Sequence, residues 1–159
     1  MPLITAEIAA FLEGPNSIMV ASHDADLVPE IARAAALRCA PDGEHVIVAL
    51  PSGSAGSLLR QLTVDRTIAV VCERPASHRT LQLKGHVVAL QATPDGGRAD
   101  IERAWASFVD GVEQIGLPRR LTQRFARWPA TSVEVRVEQL FEQTPGPGAG
   151  EPFPKAAPP

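Results

Sequence analysis

The sequence predicts a mainly β domain with added helices (α+β), arranged as a small six-stranded antiparallel barrel, closed or split. Three observations carry that expectation. Six short runs are either rich in Val, Ile and Thr or alternate apolar with polar residues, the period-two pattern of a strand. Turn-forming groups such as His23-Asp24-Ala25-Asp26 and Pro41-Asp42-Gly43 separate the early runs at hairpin spacing. Helical periodicity is confined to inserts between runs, so the strands meet mainly through hairpins rather than βαβ crossovers.

Thr5 ahead of Ile8, Phe11 and Leu12 predicts a short helix that ends at Gly14-Pro15 and caps one end of the barrel. Residues 17–22 read as the first strand and residues 27–38 as its hairpin partner. Ala32, Ala34, Ala35 and Ala36 favour a helix by propensity alone. Pro29 before them and the turn at Pro41-Asp42-Gly43 after them favour an extended path, which continues into the β-branched strand at residues 44–50. After Pro51-Ser52-Gly53, Leu58, Leu59 and Leu62 share one helical stripe within residues 54–64, with Ser54 or Ser57 as cap.

Residues 67–73 and 79–91 are the next, antiparallel strands. In the second of them Leu81, Leu83 and Val87 take one face, and Thr80, Gln82, Lys84 and His86 the other. Gly85 marks a bulge or a close approach of backbone. Beyond Thr93-Pro94-Asp95-Gly96-Gly97, the spacing of Ile101, Trp105, Phe108 and Val112 predicts an amphipathic helix over residues 98–116, followed by a shorter helical piece in 118–127. Val133, Val135 and Val137 alternate with Glu134, Arg136 and Glu138 in the last strand, residues 132–141. One domain spans residues 1–143. Residues 144–159 form a Pro/Gly-rich tail with too little apolar content for a core of its own.

Composition narrows the function. The 159 residues are 45% hydrophobic and 21% charged with a net charge of -3, and no run of basic residues offers a footprint for nucleic acid. No apolar stretch approaches the roughly 20 residues that span a bilayer, and no signal-peptide pattern opens the chain, so a cytoplasmic location without membrane contact is expected. Cys39 and Cys72 lie in no CxxC pair, and the four histidines show no ligand spacing, so no metal is expected and both thiols read as strand or core residues. Trp105 and Trp128 read as packing residues, with Arg124 and Arg127 near the rim of a site. Thr80, Gln82 and Lys84 form the clearest candidate wall, because one strand face carries three hydrogen-bonding side chains in sequence. No side chain stands out as an acid, base or nucleophile.

The chain resembles the pyridoxamine 5'-phosphate oxidase-like family, the FMN-binding split barrels, from Ile4 to about Gly150. The resemblance rests on the opening hairpin with Pro29 entering its second strand, on Gly56-Ser57-Leu58-Leu59-Arg60-Gln61-Leu62 leading to Asp65-Arg66-Thr67-Ile68-Ala69-Val70, and on Arg79-Thr80-Leu81-Gln82-Leu83-Lys84-Gly85. Phe141-Glu142-Gln143-Thr144-Pro145-Gly146 opens what looks like a subfamily signature. The resemblance implies an FMN-type split barrel that works as a homodimer, a flavoprotein with FMN as cofactor and a flavin-dependent oxidoreductase of unidentified substrate. It implies that Arg33 and Arg38, at the spacing of the family's strand arginine and lysine, hold the flavin phosphate and ring. The family's phosphate turn falls at Ser52, Ser54 and Ser57, without the usual Arg-Lys pair and with Arg60 as partial substitute. Arg79 and Thr80 stand where the family has an arginine followed by a flavin-contacting glutamine. The C-terminal Arg-Leu-x-Pro pattern of the true oxidases is missing, so pyridoxamine phosphate oxidation is not expected. No GxGxxG follows a strand, which favours FMN over FAD. The alternatives are a non-catalytic protein that binds or senses flavin, deazaflavin or haem, and a structural dimer without cofactor.

Overall fold

Residues 2–153 are described by a computed structural model of the chain. A single antiparallel sheet contains β1 (Ser17–His23), β2 (Pro29–Arg33), β3 (Ala36–Cys39), β4 (His45–Pro51), β5 (Thr67–Glu73), β6 (Thr80–Ala92) and β7 (Ala130–Glu142), in the order β2-β1-β5-β6-β7-β4-β3. Four helices accompany it: α1 (Ala6–Leu12), α2 (Gly56–Val64), α3 (Arg98–Glu113) and α4 (Arg119–Thr122).

The sheet has seven strands where six were expected, because the predicted strand over residues 27–38 is two. The Ala34 N–H donates to the Ile18 carbonyl of β1 (2.9 Å), and the next N–H, of Ala35, donates to the Ala49 carbonyl of β4 (2.8 Å). The chain thus exchanges one partner strand for another between adjacent residues. Since β2 and β3 are the two edges of the sheet, this step joins edge to edge through two residues and curls the sheet back on itself. The alanine run permits it: Ala34 enters the barrel core, while Ala35 lies beneath α3.

The same step resets the strand phase. Ala32 and Ala34 point inward and Arg33 outward, Ala35 and Ala36 both pack against the cluster under α3, and Leu37 turns inward again. Five-residue spacing places two side chains on opposite faces of a regular strand. Here it leaves Arg33 and Arg38 both outside.

The barrel is filled by the inward residues of its strands, among them Val20, Val48, Val70, Leu83 and Val133. Its ends are closed by helices: α1 contributes Ile8, Phe11 and Leu12, and α2 contributes Leu58 and Leu62 to the same core. Thr5 caps α1 by accepting from the Ile8 N–H. Leu58 and Leu62 are fully buried, so truncation of either to alanine costs about 2–5 kcal/mol. Outside the barrel, α3 lays its predicted stripe of Ile101, Trp105, Phe108 and Val112 over Ala35, Ala49 and Ala130, forming a second apolar cluster.

Two features fix the far side. The ladder between β6 and β7 shifts register at Lys84/Gly85, and a Cβ on Gly85 would stand 1.9 Å from the Arg136 carbonyl oxygen. Gly85 therefore marks both a bulge and a close backbone approach. The start of the tail folds back on β7, where the Glu142 N–H donates to Glu151 and the Phe153 N–H donates to Leu140. Tail residues 154–159 lie outside the described residues. Among the described residues no helix is long and apolar enough to cross a membrane, and no group of three or more metal-ligating side chains gathers.

Candidate functional site

The outward face of β2-β1-β5-β6-β7 carries the candidate site. Strand register aligns Arg33, Met19, Val71, Gln82 and Phe141 in one cross-strand row, with Ile31, Ala21, Ala69, Lys84 and Gln139 in the next. Met19, Val71, Ala21 and Ala69 make the middle of this surface apolar, with Arg33 and Ile31 on one side and Gln82, Lys84, Phe141 and Gln139 on the other. These side chains point outward because the alternate, inward positions of the strands are claimed by the barrel core.

Arg33 closes one end of the first row. Its Nη1 donates to Ser17 Oγ at 2.8 Å, and its guanidinium lies 5.5 Å and 5.8 Å from the ring centroids of Phe108 and Phe125. Burial holds its pKa below the ordinary arginine value, with nearby Glu73 acting in the opposite direction. The cation stays charged, fixed in orientation and half-buried.

At the other end, Gln82 Oε1 accepts from Gln143 Nε2 at 3.3 Å, and the exposed Lys84 ammonium lies 5.1 Å from the Phe141 ring. Thr80 is buried rather than displayed: its hydroxyl donates to the His78 carbonyl, and its N–H donates to Thr144 Oγ1. The tail covers it, so of the predicted wall Gln82 and Lys84 remain on the open surface. Arg79 lies over the Phe11 ring at 4.7 Å and near Glu7 at 3.8 Å, away from the rows.

The serine turn precedes α2. Ser52 Oγ is 3.2 Å from Thr131 Oγ1, while Ser54 and Ser57 are exposed. Arg60 Nη2 donates to Ser57 Oγ at 3.0 Å. The helix has Ala55 at its N-cap and no side chain accepting from its first amides. Gly53 faces open space. This donor set of helix-start amides, hydroxyls and one guanidinium has the chemistry to take a phosphate, with Arg60 a partial substitute for an Arg-Lys pair.

Arg38 is exposed on β3 opposite Ile47 and lines a pocket of about 370 Å³ between the sheet and the start of α3. Arg33 thus lies beside Phe108, and Arg38 lines a pocket with Ile101 and Ala104.

Sequence reasoning did not single out Phe125, Phe141 or Ser17 for the site. Each is placed by cross-strand register or by the fold of the helical insert, so local periodicity carried no signal for it. Cys39 is half-buried and its N–H donates to Glu13, and burial together with that carboxylate pushes the thiol up to about 12. Cys72, fully buried, is pushed higher still by the same desolvation. Neither is a nucleophile at neutral pH.

No family model matches the sequence, and no curated protein shows significant similarity to it. Solved structures do match. The HupZ protein of Group A Streptococcus is 18% identical with a TM-score of 0.57, covering 93% of this chain and 100% of its own. A candidate pyridoxamine 5'-phosphate oxidase of Lactobacillus delbrueckii is 14% identical with a TM-score of 0.54, covering 86% and 92%. A protein named F420 reductase is 17% identical at a TM-score of 0.54, covering 82% and 93%. At such identities the likeness is one of architecture, and with the curled antiparallel sheet, end-capping helices and outer helix it leads to one conclusion: the chain has the split-barrel fold of the pyridoxamine 5'-phosphate oxidase-like proteins.

Proposed function

We propose that this protein is an FMN-binding flavoprotein, acting as a flavin-dependent oxidoreductase in a homodimer whose partner copy covers the outer face. The observation that carries the proposal is the row from Arg33 through Met19 and Val71 to Gln82, an apolar strip of sheet with hydrogen-bonding groups at its ends. A planar, amphipathic ring matches such a strip. Ser54, Ser57, Arg60 and the first amides of α2 would hold the phosphate, Arg33 and Gln82 would orient the ring, and Lys84 would supply positive charge at its rim.

A flavin brings hydride transfer with it, so the protein needs only to bind, orient and shield. Lys84 favours the negative charge a flavin gains on reduction. Met19, Val71, Ala21 and Ala69 exclude water from the face. Two neighbours of the same fold are named for redox reactions, which supports the reading. The lack of a GxGxxG after a strand, which would receive a pyrophosphate, favours FMN over FAD. The missing Arg-Leu-x-Pro pattern points to a substrate other than pyridoxamine phosphate.

The test is retention. Full-length protein is incubated separately with FMN, FAD, a deazaflavin and haemin, passed through a desalting column, and its visible spectrum recorded. FMN retained in preference to the others is expected, and its loss from Arg60→Gln would place the phosphate. Preferential retention of deazaflavin or haemin, or of nothing, overturns the FMN assignment.

A further inference from the structure

A cavity of about 290 Å³ lies between the second half of α3 and the turn that joins β5 to β6. That volume is at the lower end of those that hold small molecules. None of the residues assigned above to the flavin lines it.

One wall is made by Pro15 and by Arg74, Pro75 and Ala76. The turn behind them is fixed, because the Arg74 N–H donates to the Arg79 carbonyl at 2.9 Å and the Arg74 carbonyl accepts from the His78 N–H at 2.8 Å. The Arg74 guanidinium is held over the Phe11 ring, 4.8 Å from its centroid, and Nη2 donates to the Phe11 carbonyl at 3.3 Å. Among the described residues that is its only side-chain hydrogen bond, and Nε is buried without a partner. The acids of this neighbourhood are engaged elsewhere, Glu73 with His78 and Glu7 with Arg79.

The facing wall is one stripe of α3. Ser107, Asp110, Gly111 and the C-cap Gln114 recur at i, i+3, i+4 and i+7, so they share a face of the helix. Gly111 lets this face approach the chain at Pro15, since a Cβ there would lie 3.4 Å from the Pro15 carbonyl oxygen. Asp110 gives Oδ1 to Arg119, and among the described residues its Oδ2 has no hydrogen-bond partner. The stripe also belongs to the C-terminal half of α3, the negative end of the helix dipole. The two walls therefore carry opposite charge, yet among the described residues Arg74 and Asp110 form no ion pair with each other. A cavity polarised in this way repels a simple anion from one wall and a simple cation from the other. It suits a small molecule that bears both charges.

We propose that this cavity binds a small zwitterionic amino acid, its carboxylate on Arg74, its ammonium on Asp110 Oδ2 and its methylene chain against Pro15, Pro75 and Ala76.

The probes are 4-aminobutyrate and 5-aminopentanoate, with pentanoate and pentylamine as single-charge controls, each titrated into the full-length protein at neutral pH and followed by amide chemical shifts. At least one of the two zwitterions should bind and shift the amides of Ala76, Ser107 and Gly111. Each control should bind at least about tenfold more weakly, the loss of one charge-assisted contact. Asp110→Asn should remove the preference over pentanoate, and Arg74→Gln the preference over pentylamine. Because Arg74 also anchors Phe11, a third variant leaves both charges in place: Ser107→Phe, which fills the cavity from α3, should abolish binding. Amide spectra of each variant show that it is folded. The proposal is overturned by no binding of either zwitterion, by a single-charge control that binds as tightly, or by unchanged zwitterion affinity in Asp110→Asn or in Ser107→Phe. Shifts that fall on the outer-face rows or beside Arg38, instead of around Arg74, overturn it as well.

Discussion

Gly85→Ala is the sharpest structural perturbation available in this barrel. A Cβ at that position meets the Arg136 carbonyl oxygen at 1.9 Å, the Arg136 carbonyl carbon at 2.9 Å and the Val137 Cα at 3.2 Å. All three are backbone atoms of β7, so no rotamer change relieves the overlap. Restoring an ordinary contact requires the strands to part by about 1.5 Å at the register shift, in the longest ladder of the sheet. Overpacking ordinarily costs about 1–3 kcal/mol, and backbone overlap belongs at the top of that range. For a domain of this size about 3 kcal/mol lowers Tm by roughly 6–12 °C. Differential scanning calorimetry measures it, with Gly53→Ala as control because open space surrounds Gly53. The shift would also tilt Lys84 and Gln82 on the outer face. A Tm within about 2 °C of wild type would refute the claim that Gly85 is required by close approach.

Lys84→Ala should weaken FMN binding about tenfold and make the bound flavin harder to reduce, while Glu134→Ala, on β7 away from the rows, should change neither; a titration with potentiometry of each variant measures both. Arg33→Ala removes the bond to Ser17 and both ring contacts, and should lower stability by about 2 kcal/mol in urea unfolding, as well as impairing flavin retention. The Cys39 thiol, raised from 9.0 to about 12, is protonated in the fold at pH values where it ionises in the unfolded chain. Its contribution to stability is thus complete below about pH 9 and lost as pH rises toward 12. Iodoacetamide mass labelling at pH 9.5 should accordingly modify Cys39 far faster in denaturant than in buffer.

The fold was legible in the sequence wherever one face of an element was claimed by a core. Leu81, Leu83 and Val87 announced β6, and Ile101, Trp105, Phe108 and Val112 announced α3, because period and burial agree there. Gly85 was legible as a bulge because a glycine inside a strand otherwise lacks a reason. The break at Ala34-Ala35 was not, since alanine fits an inward, outward or helical position equally and the exchange of partner strands is set by non-local pairing. For the same reason the common outward orientation of Arg33 and Arg38 was hidden by their five-residue spacing. Gln82 and Lys84 were visible as an open face, whereas the covering of Thr80 by Thr144 depends on a tail that folds back across 64 positions of sequence. The aromatic partners of Arg33 come from a helical insert whose docking no local pattern encodes.

The central claim, a flavin held on the outer face of a paired split barrel, is tested most directly by sedimentation velocity of the protein with FMN, recorded at both a protein and a flavin wavelength. The account predicts that flavin absorbance co-sediments with a species of twice the 16.9 kDa chain mass. Flavin left unsedimented beside a protein boundary of single-chain mass would contradict it.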